Sequence, residues 1–216
     1  MADLARDLYE EMARFPIISP HGHVDAGLLA NNENWSDAVE LLIRPDHYIT
    51  RMLYSQGVPY ESLQKPPLEV WKLFCANWKL YRGTPSSLWL REILDSLFDI
   101  DDLSELKPEL SFSKINERLV SPEFRPLELF KRFNIEVLAT TDATNDDLIS
   151  HENLSKLGLS GRVIPTFRPD DITDPARSDF RVSLTKLGAT SFKELLDKLR
   201  ERRAHFKSHG ATATDH

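Results

Sequence analysis

Short apolar runs, each followed by polar residues, mark the strands of this chain. Three are clear, at residues 15–19, 135–140 and 162–167, and a fourth opens within residues 211–216. Their brevity and β-branched content predict strands rather than helices. The run Phe15-Pro-Ile-Ile reads as a buried one. Helical periodicity fills the intervals. Residues 127–133 precede the second strand, 146–157 the third and 191–209 the fourth, and Ala2–Met12 forms an amphipathic, partly acidic helix at the start. Strands that alternate with helices predict an α/β protein with a parallel sheet.

The interval between the first two strands differs from the rest. From Asn31 to Phe124 the chain carries all four Trp, many Leu and repeated Pro breaks, with no strand pattern. Helices are expected at 35–43, 48–56, 68–81, 88–98 and 112–119. Turn signals separate them at Arg44-Pro45, Gly57-Val-Pro59, Lys65-Pro-Pro67 and Gly83-Thr-Pro85. This reads as a helical insertion, residues 31–124, within one domain.

Composition narrows the function classes. An apolar fraction of 41% is enough for a core, and a net charge of −7 without a Lys/Arg block argues against nucleic acid. The basic cluster at 198–203 contains Glu201 and reads as a solvated helix face. Cys75 is the single cysteine, so no internal disulfide framework exists and a reducing cytosol suits the chain. It sits in a helical context and reads as a buried thiol, not a nucleophile. No apolar stretch reaches membrane-spanning length, and the acidic first helix does not read as a signal peptide. A cytoplasmic protein without a membrane partner is expected.

Candidate chemistry collects where strands end. His21 and His23 follow the first strand at i, i+2, and extended backbone points such residues to one side, where two imidazoles can share a metal ion. The pair is also open to an inert reading, as two loop histidines with no ligand. Leu138-Ala-Thr-Thr-Asp142 brings Thr140, Thr141 and Asp142 to the second strand end. Val163-Ile-Pro-Thr-Phe-Arg168 brings an arginine to the third, either to hold a carboxylate or to pair with Asp170 or Asp171. Thr214-Asp-His216 delivers a further imidazole. Arg44-Pro-Asp-His-Tyr-Ile-Thr-Arg51 places His47, Tyr48 and Arg51 at a helix entrance, as proton donors and an anion holder, or as a surface turn capped by Asp46. A parallel barrel gathers strand C-terminal ends around one cavity, and such a fold would unite these groups.

Pro-Ile-Ile-Ser-Pro-His-Gly-His, Pro-Asp-His-Tyr, Leu-Ala-Thr-Thr-Asp, Pro-Thr-Phe-Arg-Pro-Asp and Gly-Ala-Thr-Ala-Thr-Asp-His occur here in one order. In that order the chain resembles the uronate (glucuronate) isomerases of the amidohydrolase superfamily, from Ala5 to His216. The resemblance implies the N-terminal portion of a (β/α)8 TIM-type barrel with a helical insertion after strand one. It implies a metal-dependent aldose–ketose isomerase that interconverts D-glucuronate with D-fructuronate, and D-galacturonate with D-tagaturonate, by C2-to-C1 proton transfer through an enediolate. Carried over by motif, His21 and His23 are metal ligands, with zinc the usual ion. Tyr48 and His47 are catalytic and contact substrate, and Arg168 and His216 bind substrate. A homo-oligomer is implied for the full-length enzyme. The chain stops at about half the family's length, before the strand-eight Asp that is the family's third metal ligand. An inactive fragment is therefore expected. Two alternatives remain: a metal-dependent hydrolase of the same superfamily, and a non-catalytic half-barrel.

Overall fold

A computed structural model describes residues 2–215 and divides into two compact units, Met1–Asn32 with Pro126–His216, and Glu33–Arg125. His216 lies outside the described residues. The first unit holds all the strands. β1 (Ile17–Ser19), β2 (Ile135–Ala139), β3 (Asp142–Ala143), β4 (Arg162–Ile164) and β5 (Phe167–Arg168) pair only in parallel. The order is β1-β2-β4, and β3-β5 continues the β2–β4 register from Val137↔Arg162 to Asp142↔Phe167. A parallel bridge from Phe167 to Thr214 adds the chain's last residues beside β5. Strand neighbours thus follow chain order, joined through helices, as parallel pairing requires. The fold is α/β with a parallel sheet.

The run at 162–167 is not one strand. Pro165 has no N–H to donate, and the ladder breaks there. Asp142 repairs the gap: its N–H donates to the Thr166 carbonyl at 3.1 Å, and its Oδ2 accepts from the Thr166 N–H at 3.3 Å. At the other end, a Cβ on Gly161 would lie 2.0 Å from the Ile135 carbonyl oxygen, so only glycine lets β4 start this close to β2.

Strand alternation sends the two faces of β2 to different clusters. Leu138 packs with Ala26, Leu29, Phe130 and Leu154 from the helices at Ala26–Asn31, Pro126–Arg132 and Ile149–Ser155. Val137 and Ala139 instead pack with Ile164. β1 departs from expectation. Phe15, Ile17 and Ile18 are exposed, not buried, because β1 has a single paired neighbour and no described element of its unit covers its other side. Leu4, Leu8 and Met12 of the first helix, Ala2–Met12, are exposed as well.

Two short helices, Asp170–Thr173 and Phe180–Leu187, arise in a Pro- and Asp-rich stretch that carries no clear helical period. The long helix Phe192–Ser208 follows, and its charges are paired as a solvated face: Lys198 with Glu201 and Arg200 with Asp197, each at 2.7 Å. Arg202 differs. It donates from Nε to the Thr144 carbonyl at 2.7 Å and also bonds the Asp146 carbonyl, tying this helix to the loop after β3.

The second unit is helical throughout, and Pro or a capping carboxylate sets where its helices begin. Asp37 caps Ala38–Leu42, Asp46 caps His47–Ser55, and Thr84 caps Pro85–Phe98, whose first residue is a proline. The segment expected as one helix at 68–81 is Pro67–Ala76 followed by a 3₁₀ turn, Trp78–Tyr81. Asn77 parts them with its side-chain amide on the Leu73 carbonyl. Trp71, Phe74, Tyr81, Phe98 and Phe124 fill the core. Burial raises the Cys75 thiol to about 12, which leaves it un-ionised and a poor nucleophile. No helix among the described residues is long and apolar enough to cross a membrane.

Phe206, fully buried, meets Phe167 edge-on at a centroid distance of 4.9 Å and packs with Leu148. Phe206→Ala should cost about 3–5 kcal/mol, the usual loss for truncating a buried aromatic. Equilibrium urea unfolding measures it; a change below about 1 kcal/mol would mean the pocket collapses or is not a core site.

Candidate active site

Parallel strands all end at the same edge of the sheet, so the residues that follow them meet there. After β1 the chain turns through Ser19-Pro-His-Gly-His23. Gly22 lets the turn pass close to β2, since a Cβ there would sit a tight 3.0 Å from the Ala139 carbonyl at the end of that strand. Thr141 Oγ1 donates to the Gly22 carbonyl at 3.3 Å, and Ser19 Oγ to the His21 carbonyl at 3.3 Å. The two imidazoles so placed converge. Their Nε2 atoms lie 3.1 Å apart, with ring centroids at 4.8 Å and an interplanar angle of 84°.

That geometry fits a shared metal. Two nitrogens on a tetrahedral zinc at the usual bond length lie about 3.3 Å apart, close to the separation found here. The opposite edge of the His21 ring carries a carboxylate: Nδ1 is 2.9 Å from Asp215 Oδ2. Among the described residues, no group of three or more His, Cys, Asp or Glu side chains is gathered tightly enough to hold a metal ion. The convergent pair His21 and His23 is, among the described residues, what this unit offers an ion.

His23 also lines a polar cleft of about 270 Å³ with Asp25, Thr141, Asp142 and Asp146. Asp25 is the cap of the following helix, accepting from the Gly27 N–H at 2.7 Å. Behind the cleft lies a buried polar chain. Thr140 Oγ1 donates to Asp142 Oδ2 at 2.7 Å and lies 2.8 Å from His151 Nε2. A hydroxyl that donates to a carboxylate must accept from the ring, which assigns the imidazole proton to Nε2. His151 Nδ1 is buried without a partner among the described residues, consistent with a neutral ring. Burial pushes the Asp142 carboxyl above its ordinary range and the His151 imidazole below its own.

Arg168, at the end of β5, donates from Nε to Asp170 Oδ2 at 2.7 Å, and both side chains are about one-third exposed or less. The local acidic partner foreseen from sequence is therefore present. His47 and Tyr48 belong to the helical unit, at the first turn of His47–Ser55. Asp46 Oδ1 accepts from the Tyr48 and Ile49 N–H groups at 2.8 and 3.3 Å. The buried Tyr81 hydroxyl donates to the Ile49 carbonyl at 3.0 Å and fixes that turn from below. The rings of His47 and Tyr48 lie 4.2 Å apart, and Tyr48, half exposed, borders an apolar cavity of about 580 Å³ with Arg51, Met52 and Trp89.

The structure thus brings His21, His23, Thr141 and Asp142 to one edge of the strand unit, and His47, Tyr48 and Arg51 to one turn of the helical unit. Sequence reasoning missed Asp215 and His151. Asp215 carried a signal, since it sits at a strand end beside His216. His151 carried none, because Ser-His-Glu-Asn reads as exposed helix.

Comparison with known proteins assigns the chain throughout its length. The family model for glucuronate isomerase matches residues 1–216. A uronate isomerase of Phenylobacterium zucineum is 44% identical over 230 residues, covering 99% of this chain and 48% of the relative. One from Rhizorhabdus wittichii is 46% identical over 224 residues, with the same coverage. Among solved structures, glucuronate isomerase from Caulobacter crescentus aligns with TM-score 0.92 at 38% identity, covering 98% of this chain and 48% of that one. Uronate isomerase from Thermotoga maritima aligns with TM-score 0.88 at 28% identity. The chain spans about half the length of the curated relatives it matches.

The neutral His151 predicts a pH dependence. Its folded pKa lies below the ordinary 6.5, so under that pH the unfolded chain binds a proton that the folded chain refuses. Stability is complete above 6.5 and falls as pH drops toward the depressed folded value, by up to about 1.4 kcal/mol per pH unit. Asp142, raised, acts in the opposite sense at lower pH, where the folded chain takes up its proton first. Urea midpoints at about pH 7.5 and about pH 5.5 should differ in the wild type and differ much less in His151→Gln. Equal pH dependence in both proteins would place the titrating group elsewhere.

Proposed function

The chain belongs to the glucuronate isomerase family, and from that membership we propose that it supplies the proton-transfer pair and the first two metal ligands of a hexuronate aldose–ketose isomerase. The observation that carries this reading is the convergence of His21 and His23, Nε2 to Nε2 at 3.1 Å, at the C-terminal end of a parallel strand. The proposed architecture is the N-terminal part of a (β/α)8 barrel with residues 31–124 inserted after its first strand. Parallel neighbours in chain order support it, as does the two-sided packing of β2, with Leu138 toward helices and Val137 and Ala139 toward Ile164.

In the proposed reaction one proton passes from C2 to C1 and another from O2 to O1, so that the carbonyl moves from C1 to C2 through an enediolate. No atom is gained or lost. His47 and Tyr48, held side by side at a capped helix start, are the groups proposed to hold and deliver the proton at C1. Arg168 is proposed to orient the substrate anion, in exchange for part of its contact with Asp170. His216 is assigned to substrate by its motif alone. A divalent cation on His21 and His23, zinc by family, would supply positive charge that stabilises the developing enediolate oxygens.

Conversion of D-glucuronate to a ketose, followed in added Zn²⁺ with this chain alone and with the remaining half of a matched relative supplied in trans, tests the reading. Turnover is expected when the site is assembled, and Tyr48→Phe should lower kcat by about 10²–10⁴-fold if the phenol moves the proton. Hydrolysis of amide or lactone substrates without isomerisation would assign the chain to a different chemistry.

A further inference from the structure

A cleft of about 530 Å³ in the helical unit uses none of the residues assigned to the proposed reaction. It is lined by Trp78, Lys79, Arg82, Arg91, Asp102 and Ser104. Its volume lies within the range of small-molecule sites, about 300–1,000 Å³.

The 3₁₀ turn Trp78–Tyr81 builds one wall. Lys79 lies within it, and Arg82 closes it with an N–H bond to the Lys79 carbonyl at 3.3 Å. Residues three apart in such a turn eclipse one another, so both cations reach the same cleft. Both are exposed, and neither side chain has a hydrogen bond or ion pair among the described residues. Like charges at this spacing repel, and no described side chain offsets them.

The carboxylate in the lining cannot do so. Asp102 Oδ1 accepts from Trp78 Nε1 at 3.1 Å, the Ser104 N–H at 2.9 Å and the Ser104 hydroxyl at 2.8 Å. Its Oδ2 accepts from Arg91 Nη1 at 3.1 Å. A carboxylate offers about four lone-pair sites, so this one is fully engaged. The Ser104 N–H, then the Ser104 hydroxyl and Arg91, hold its carboxyl down at about 2, where it stays ionised. Arg91 is fixed in turn, with its guanidinium carbon 5.5 Å from the centre of the Trp78 ring. Three cations against one carboxylate leave the lining two positive charges, in a chain whose net charge is −7.

From this we propose that the cleft binds a phosphate group, free or borne on a small organic ester, with Lys79 and Arg82 as its main donors. A phosphate dianion matches the surplus of two charges, which a monocarboxylate would only half satisfy. Its oxygens accept from an ammonium and a guanidinium fork at once. The cleft is roomier than a phosphate group alone requires, which leaves space for an organic body beside the indole edge.

Titration calorimetry on the full 216-residue chain, in about 10 mM salt to limit screening, tests this. The probes are inorganic phosphate, phenyl phosphate and succinate. Saturable binding of at least one phosphate probe is expected, with Kd of about 1 mM or lower. Tighter binding of phenyl phosphate identifies an ester site, and equal binding a site for free phosphate. Lys79→Gln and Arg82→Gln should each weaken it about 10-fold, and the double variant should abolish it. Both residues are exposed, so the unfolding midpoints of these variants should match the wild type. Lys198→Gln, on the solvated helix face, should bind as the wild type does. Absence of saturable phosphate binding would overturn the proposal, as would binding that survives in the double variant. Succinate bound as tightly as either phosphate probe would overturn the assignment to phosphate.

Discussion

A parallel pair of strands cannot be closed by a hairpin, so after each strand the chain must travel back through a helix before it can pair again. In this protein that constraint has chemical consequences. Because β1, β2, β4 and the residues at 213–215 run in one direction as neighbours, whatever follows each of them arrives at the same edge. His21 with His23, Thr140 to Asp142, Arg168 and Asp215 all follow strand ends at that edge, although the four groups are far from one another in sequence. The sheet tolerates such polarity because the buried groups are linked to one another and, in part, to the backbone. Asp142 completes the ladder where Pro165 interrupts it, and Thr140 links that carboxylate to His151.

Glycine sets the tolerances of this edge. Gly161 brings β4 against the start of β2, and Gly22 brings the histidine loop against its end. Between these contacts β2 acts as a ruler whose two ends are fixed by the absence of side chains on its neighbours. The helical unit uses other means to the same effect: a cap at Asp46 and the buried Tyr81 hydroxyl hold the turn bearing His47 and Tyr48.

Features that depend on nearest neighbours along the chain were legible in the sequence. The i, i+2 spacing of His21 and His23 led to their convergence being expected, although it comes about in the turn after β1 and not in extended strand, and the start of His47–Ser55 followed from the Asp46 cap. Helices expected from 35, 88 and 112 begin instead at Ala38, Pro85 and Pro108, where Asp37 or a proline sets the first turn. Features that depend on what arrives from elsewhere were not. Ile17 and Ile18 read as core and stand exposed, because an apolar residue is buried only if something covers it. His151 reads as surface and is buried for the converse reason. Asp215 meets His21 only because a strand from the far end of the chain lies at the same sheet edge. The pairing of Arg168 with Asp170 lay within the local acidic alternatives, since two residues of separation suffice for it.

The long interval between β1 and β2 bears on how the sheet assembles. Asn32 accepts from the Leu127 N–H through Oδ1 at 3.0 Å, so the strand unit's chain leaves and re-enters at adjacent points. Within the helical unit, Asn34 and Arg125 bond likewise at 2.9 Å, joining that unit's own ends. A chain of more than a hundred residues between paired strands would ordinarily impose a large closure entropy and slow the search for register. Once Glu33–Arg125 has folded, its joined ends leave only a short span for the chain to close between β1 and β2. The distance in sequence between the first two strands is then no measure of the distance the chain must search.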